Sequence, residues 1–87
     1  MIVIELFSGK DCPLCEEAKA ILHSAQKDFE FVLKEIVLLP GSPHYEKYKE
    51  HIPVVHINGS FSFRHHIDEA SVRRELRILG ATQKKIG

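Results

Sequence analysis

The sequence has only two cysteines, no excess of either charge, and no hydrophobic run long enough to cross a membrane. Among its 87 residues, Lys plus Arg and Asp plus Glu each number 12, so the formal net charge is zero. A neutral chain offers no overall field to nucleic acid or to an anionic membrane surface. No apolar stretch reaches the roughly 20 residues of a membrane span. We therefore expect neither nucleic acid nor a membrane among the partners.

Two cysteines are too few for a secreted disulfide scaffold and favour a reducing compartment. The chain begins directly with strand residues rather than with a basic and then apolar leader, and a removed transit peptide would leave no trace. We expect an intracellular protein, cytoplasmic or organellar after removal of such a peptide. The length predicts one domain. We place it at residues 1–82, with a C-terminal tail at 83–87, and we expect a monomer.

Both cysteines fall in one motif, Cys12-Pro13-Leu14-Cys15, at the point where an apolar strand gives way to a helix. The run at 2–7 is typical of a buried strand, and the run at 8–11 carries turn residues. Two thiols separated by two residues at the start of a helix can close a small disulfide ring with little chain movement. The motif therefore predicts a redox dithiol.

The position of each cysteine predicts its role. The first N–H groups of a helix lack intrahelical partners and the helix dipole is positive there, so a thiolate at Cys12 is stabilised. Pro13 suits the first helical position because its missing N–H costs nothing there. Cys15 lies one turn further in, where we expect it to be shielded. Cys12 is thus the predicted nucleophile and Cys15 the predicted resolving thiol.

Two other uses of the cysteine pair stay open. Half a zinc site is one, although a structural zinc site needs four ligands, no second paired-cysteine motif exists, and six histidines would have to supply the rest. A structural disulfide is the other, although so short a loop restricts the unfolded chain little. The corresponding alternative function is a non-catalytic binding module that holds a metal or an iron–sulfur cluster at a subunit interface. We predict no resident metal.

The rest of the chain shows alternating strand and helix patterns. The predicted elements after the first strand are a helix over 13–26, an edge strand over 29–39, a loop at 40–43, a short helical segment over 44–50, strands at 52–57 and 60–63, and a helix capped by Asp68 and ended by Gly80. Asn58-Gly59 is a strong signal for a hairpin turn. The residues after Gly80 are expected to form a frayed basic tail.

This order, together with Cys12-Pro13-Leu14-Cys15 and Ile52-Pro53-Val54, resembles a glutaredoxin over nearly the whole chain. The similarity is greatest to small glutaredoxin-like proteins that share Cys-Pro-Leu-Cys-Glu-Glu-Ala, here residues 12 to 18, and a tyrosine shortly before Ile-Pro-Val, here Tyr48. The resemblance implies an α/β thioredoxin-like fold of glutaredoxin type, β-α-β-α-β-β-α, with a four-stranded mixed sheet flanked by helices. It implies a thiol-disulfide oxidoreductase acting on protein or glutathione mixed disulfides.

The resemblance also implies where a substrate would bind. In the family the proline at the position of Pro53 follows a cis peptide bond, and the backbone of the residue before it, here Ile52, pairs with a cysteine-containing peptide. Lys10 matches a position where a cation holds a glutathione carboxylate. We expect Pro13 and Leu14 to contact the substrate as well. Glutathione or a reductase would then supply electrons, and no bound cofactor is expected.

Two features depart from the glutaredoxin pattern. Glutaredoxins commonly carry Tyr where this chain has Leu14, and they follow the fourth strand with a Gly-Gly and acidic segment that clamps glutathione. Here that segment, residues 63–68, contains no glycine. Arg64 or the N-terminus of the last helix would have to bind a carboxylate instead. Glutathione is therefore one candidate reductant among others.

Five of the six histidines fall in the second half of the chain: His44, His51, His56, His65 and His66. We expect ordinary surface and loop positions for them, with a metal or pH-sensitive site as the alternative. His56 alternates with apolar residues in a strand and is expected to face solvent.

Overall fold

A computed structural model describes residues 1–84 and has the element order expected from the sequence. The elements are β1 (Val3–Ser8), α1 (Pro13–Gln26), β2 (Val32–Val37), α2 (Tyr45–Tyr48), β3 (Val54–Ile57), β4 (Ser60–Arg64) and α3 (Glu69–Ile78). The strands form one mixed sheet in the order β2-β1-β3-β4. β1 pairs with β2 in parallel and with β3 antiparallel, and β3 and β4 form an antiparallel hairpin. The predicted fold class is confirmed, with β2 at an edge.

The two faces of the sheet bury two different apolar clusters because side chains alternate along each strand. On one face Ile4, Leu6 and Val55 pack with α1 and α3, which contribute Leu22 and Leu76. We call this cluster the helical core. The opposite face carries a smaller cluster of Phe7, Leu38, Tyr48 and Val54, which lies against α2 and which we call the α2-side cluster.

Local signals set the ends of the helices and the hairpin turn. Pro13 occupies the first turn of α1, and the Asp68 carboxylate accepts the backbone N–H of Ser71 at 2.9 Å, which caps α3. The Ser71 hydroxyl, which donates to the same carboxylate, and then this backbone N–H hold the pKa of Asp68 below its ordinary value. Asn58 and Gly59 both have positive φ, 51° and 81°, as the tightest hairpin turns require.

Several element boundaries differ from the sequence prediction, most of all at β2 and after α3. β2 spans Val32–Val37 rather than 29–39, since Phe29 and Phe31 are buried in the helical core before the strand pairs with β1. The expectation of a frayed tail after Gly80 is wrong for residues 81–84. Glu30 donates its backbone N–H to Thr82 at 2.8 Å and Lys84 donates to Asp28 at 2.8 Å, so this segment is paired. The rest of the predicted tail, 85–87, lies outside the described residues, and the domain boundary at 82 stays a prediction.

Arg73 fastens α3 to the C-terminal end of α1. Its guanidinium donates to Asp28 at 2.6 Å, to Glu69 at 2.9 Å, and to the Ser24 backbone oxygen at 3.3 Å. These carboxylates raise the pKa of Arg73 above its ordinary value. The guanidinium therefore joins the helix that carries the cysteines to the last helix of the fold.

The helical core predicts how the domain responds to truncation of a side chain. Leu76 of α3 is fully buried, whereas Ile78, two residues later, is 69% exposed. Leu76→Ala is expected to lower the free energy of unfolding by about 2–5 kcal/mol through lost burial and the cavity left behind. Ile78→Ala is expected to change it by less than about 0.5 kcal/mol. Urea titrations followed by circular dichroism measure both, and equal losses would contradict the assigned packing.

Candidate active site at the start of the first helix

The two cysteines form a disulfide at the junction of β1 and α1, with their Cα atoms 5.2 Å apart. Cys12 is the N-cap of α1, with an extended backbone at φ −120° and ψ 93°. The backbone N–H of Cys15 donates to Cys12 Sγ at 3.1 Å, and the Cys12 carbonyl oxygen accepts the N–H groups of Cys15 and Glu16. The sulfur of the first cysteine therefore lies against the Cys15 N–H in the first turn of the helix.

The two sulfurs differ sharply in their access to solvent. Cys15 is 1% exposed, because it begins the buried stripe that continues through Ala18, Leu22 and Ala25. Cys12 is half-buried and opens on a surface cavity shared with Lys10, Asp11 and Glu16. An external molecule can therefore reach the first cysteine and not the second.

The segment Ile52-Pro53 lies beside the turn that precedes the dithiol. The Ile52-Pro53 bond is cis, as the resemblance implied, and Pro53 is fully buried. A Cβ atom added at Gly9 would lie only 2.7 Å from Ile52 Cδ1, so glycine permits this close approach. The Pro53 carbonyl oxygen accepts the backbone N–H of His65 at 2.6 Å, which fixes the segment to the end of β4.

A groove of about 330 Å³ connects the predicted substrate residues Lys10 and Ile52. Its other walls were not identified from the sequence. They are supplied by Gly9, Leu38, Leu39, Pro40, Tyr45 and Lys49. Apart from Gly9, these residues come from the loop after β2 and from α2 with its C-cap residue, which are distant in sequence from the dithiol. Of the remaining predicted contacts, Pro13 is exposed and Leu14 is half-buried.

Charges of both signs lie around Cys12. Lys10, Asp11 and Glu16 border its cavity, and Lys10 and Lys49 border the groove toward Ile52. Glu46 binds Lys49 Nζ at 2.9 Å and raises the pKa of that amine above its ordinary value. Glu16, in the first turn of α1, is thus an acidic side chain that borders the cavity of Cys12.

The segment that replaces the glutathione clamp of glutaredoxins is shaped by His65 and Asp68. His65 has a left-handed backbone with φ 65°, and its N–H binds the Pro53 carbonyl oxygen. Asp68 is committed to capping α3. Arg64 is exposed beside this turn. A carboxylate-binding role for Arg64 stays a prediction.

His56 is half-buried, whereas strand alternation predicted a solvent-facing side chain. Its ring lies 4.9 Å from that of Phe7 between centroids, and its Nε2 is 2.9 Å from the Tyr48 hydroxyl. Burial lowers the pKa of His56 below its ordinary value; the charges of His44 and Lys47 act in the same direction, and that of Glu5 opposes them. The opposite face of the sheet is covered by α2, which alternation alone did not reveal.

Residues 1–84 contain neither a three-residue group that could hold a metal nor a membrane-spanning helix. Within residues 1–84, no three side chains of His, Cys, Asp or Glu are grouped closely enough to hold a metal ion. Over the same residues, no helix is both long and apolar enough to cross a membrane.

Solved structures with the same fold are thioredoxins and a structural-genomics protein. This chain superposes on a protein from X. campestris with a TM-score of 0.72 at 19% identity, covering 86% of this chain and 96% of that one. A mutant thioredoxin from Halobacterium salinarum NRC-1 gives 0.68 at 12% identity, covering 88% and 73%. Oxidised thioredoxin from Plasmodium falciparum gives 0.65 at 18% identity, covering 92% and 82%. The fold and the paired cysteines thus define a thioredoxin-fold protein.

The family follows from sequence comparison. The profile of the glutaredoxin-like domain (DUF836) matches residues 3–77. A Dictyostelium discoideum protein named glutaredoxin-like protein YDR286C homolog is 31% identical over 90 residues, which cover 97% of this chain and 83% of that protein. The chain belongs to the glutaredoxin-like domain family, as the resemblance of its motifs implied.

The unequal exposure of the cysteines predicts the order in which they react. After reduction, native protein treated with one equivalent of iodoacetamide is expected to be alkylated at Cys12, and Cys15 only after denaturation, because Cys15 is 1% exposed. Peptide mass spectrometry identifies the modified residue. The variants Cys12→Ser and Cys15→Ser serve as matched controls that each retain one thiol. Equal alkylation of both thiols in the native state would contradict the assigned geometry.

The lowered pKa of His56 predicts a pH-dependent stability. Below the ordinary histidine pKa of about 6.5, the unfolded chain binds the proton before the folded chain does. The free energy of unfolding is therefore expected to fall as pH decreases from about 6.5, and His56 contributes no slope above that pH. Urea titrations at pH 7.5, 6.5 and 5.5 measure the loss.

His56→Gln is expected to show a smaller loss over this pH range than the unchanged protein. His23→Gln provides the control, because His23 is exposed on α1. If His56→Gln and the unchanged protein lose the same free energy between pH 7.5 and 5.5, the histidine does not cause the dependence.

Proposed function

We propose that this protein is a thiol-disulfide oxidoreductase that reduces disulfides by dithiol exchange through Cys12 and Cys15. One observation carries the proposal: a half-buried sulfur at the N-cap of α1 is bonded to a sulfur that is 1% exposed. This arrangement supplies one accessible nucleophile and one shielded thiol within bonding distance. Membership of the glutaredoxin-like domain family supports the same class of reaction.

In the first step, the Cys12 thiolate attacks one sulfur of a substrate disulfide. A new bond forms between Cys12 Sγ and that sulfur, the substrate S–S bond breaks, and the other substrate sulfur leaves as a thiolate. The N–H of Cys15, which lies 3.1 Å from Cys12 Sγ in the disulfide, stabilises the anionic sulfur. The positive end of α1 acts in the same direction.

In the second step, Cys15 attacks Cys12 Sγ and releases the second substrate sulfur. The substrate gains two electrons and two protons overall, and the protein is left with the Cys12–Cys15 bond. Burial of Cys15 confines its attack to a sulfur that is already attached to Cys12. The chain movement is small because the two Cα atoms are 5.2 Å apart in the closed form.

The substrate lies between the dithiol and Ile52 in this proposal. Its backbone pairs with that of Ile52 in the manner of an added strand, next to the buried Pro53. Lys10 binds a carboxylate beside the reacting sulfur, while Pro13 and Leu14 contact the substrate from α1. Protein disulfides and glutathione mixed disulfides both present the required cysteine flanked by peptide groups.

The cycle closes when an external donor reduces the Cys12–Cys15 bond. Glutathione and a reductase of the thioredoxin type are the two donors we propose. Parallel assays with each donor, on an insulin disulfide and on a glutathionylated peptide, identify the one that sustains turnover. For two electrons about 30 mV corresponds to about 1.4 kcal/mol, so a measured reduction potential decides which donor is thermodynamically competent.

The roles of the two cysteines predict different defects. Cys12→Ser is expected to reduce both activities to the uncatalysed rate, because no accessible nucleophile remains. Cys15→Ser is expected to lose reduction of the insulin disulfide and to accumulate a mixed disulfide at Cys12, which mass spectrometry detects as an added substrate mass. Residual glutathione-dependent exchange is compatible with the second variant only.

Two outcomes would contradict this assignment. Equal residual activity in both variants would mean that the cysteines do not divide the roles of nucleophile and resolving thiol. If a protein with native circular dichroism turned over neither substrate with either donor, the proposed oxidoreductase activity would be excluded. Alkylation of Cys12 in the same sample establishes that the thiol was reduced and available.

A further inference from the structure

A register shift in the hairpin places Phe61 and Arg64 of β4 on the same face, whereas regular alternation would place them on opposite faces. His56 pairs with Phe61 and Val55 with Phe63, so the pairing shifts between Val55 and His56. Val54 then pairs with Arg64. Since Val54 and His56 share a face of β3, their partners Phe61 and Arg64 share the corresponding face of β4, although an odd number of steps separates them.

This face of β4 meets α2 in a cavity of about 360 Å³ on the opposite side of the sheet from the helical core. The lining residues are Lys47, Tyr48, His51, Phe61 and Arg64. Two are permanent cations, one is a histidine, and two are aromatic. No carboxylate lines the cavity. In the part of the chain that the structure describes, neither Lys47 nor Arg64 forms a salt bridge.

The aromatic residues of this cavity are held differently. Tyr48 is buried, and its hydroxyl is engaged with His56 Nε2 at 2.9 Å, while Lys47 Nζ lies 5.3 Å from its ring centroid. Tyr48 thus forms the floor of the cavity, and its hydroxyl already has a hydrogen-bond partner. Phe61 is 53% exposed on the wall. Phe61 lies on the face of the sheet opposite the helical core, so packing in that core does not account for its exposure.

We infer that this cavity binds a phosphate group carried on a planar ring system, as in a mononucleotide. Arg64 and Lys47 bind the phosphate oxygens. The planar guanidinium of an arginine can donate two parallel hydrogen bonds to a phosphate. The open face of Phe61 stacks on the ring. His51 adds a further hydrogen-bond donor. The volume lies within the range of about 300–1,000 Å³ that is typical of small-ligand sites.

A single nucleotide fits these observations better than a nucleic acid strand. Strand binding requires a basic groove that follows several phosphates, together with repeated stacking surfaces. Here the net charge of the chain is zero. Two permanent cations, Lys47 and Arg64, border a single cavity, and Phe61 offers one open aromatic face there. The site is also separate from the proposed chemistry, because neither cysteine lines it.

Isothermal titration calorimetry of the full chain with AMP, adenosine and inorganic phosphate tests this inference. AMP is expected to bind at one site, and at least about tenfold more tightly than either adenosine or phosphate, since only AMP offers both groups. Arg64→Gln is expected to weaken AMP binding about tenfold or more, which corresponds to about 1.4 kcal/mol. Phe61→Ser is expected to weaken AMP and leave phosphate unchanged.

Two controls separate this site from the rest of the molecule. Arg74→Gln removes an exposed arginine of α3, outside the cavity, and is expected to leave AMP binding unchanged. Cys12→Ser is expected to bind AMP as the unchanged protein does, so failure of the proposed oxidoreductase would leave this result intact. Native circular dichroism of each variant establishes that it is folded.

Several results would overturn the inference. These are no saturable binding of AMP at millimolar concentration, equal affinity for AMP and phosphate, or unchanged AMP affinity in folded Arg64→Gln and Phe61→Ser proteins. Affinity for oligoadenylate that rises with strand length would replace the single-nucleotide site with a strand-binding surface, and so would also overturn it.

Discussion

The buried stripe of α1 begins at Cys15, and the geometry of the candidate active site depends on that placement. Cys15 is packed with the residues that attach α1 to the sheet, so the helix cannot move without exposing its own core side chains. Cys12, three residues earlier, then lies at the N-cap, where its sulfur accepts the backbone N–H of Cys15. Stability of the helix and reactivity of its first sulfur therefore share one structural cause.

The two central strands, β1 and β3, place the segment Ile52-Pro53 beside the dithiol turn. β1 leads directly into the dithiol turn, and its neighbour β3 follows Pro53. Their antiparallel pairing therefore brings the dithiol turn and Pro53 to the same end of the sheet. The absence of a side chain at Gly9 lets Ile52 approach this turn. The Pro53 carbonyl oxygen is engaged by His65. The segment Ile52-Pro53, where we propose that a substrate binds, is thus positioned by the pairing of β3 with β1 and by a backbone hydrogen bond to the end of β4.

Features encoded by adjacent residues were predictable from the sequence. Pro13 marked the start of α1, Asp68 the cap of α3, and Asn58-Gly59 the hairpin turn, because each acts through its own backbone geometry. Features that depend on a distant partner were not predictable. The ends of β2 depend on where β1 pairs with it, and the burial of His56 depends on α2 covering that face of the sheet.

The groove beside Lys10 and the cavity beside Arg64 were missed for the same reason. Lys49 reaches the groove only because α2 packs on the sheet, and Arg64 shares a face with Phe61 only because the pairing shifts between Val55 and His56. Alternation along β4 alone places Phe61 and Arg64 on opposite faces. A register shift is a property of two strands together, so it has no signature in either one.

The dithiol and the proposed ligand cavity lie on either side of the same short segment of chain. His51 lines the cavity and Val54 pairs with Arg64, whereas Ile52, between them, lies against Gly9 in the turn before the dithiol. By linkage, any difference in ligand affinity between the dithiol and disulfide forms must equal the change that the ligand makes in the dithiol–disulfide equilibrium. Ile52 is one contact through which such a coupling would pass, because it lies between the residues of the cavity and the turn.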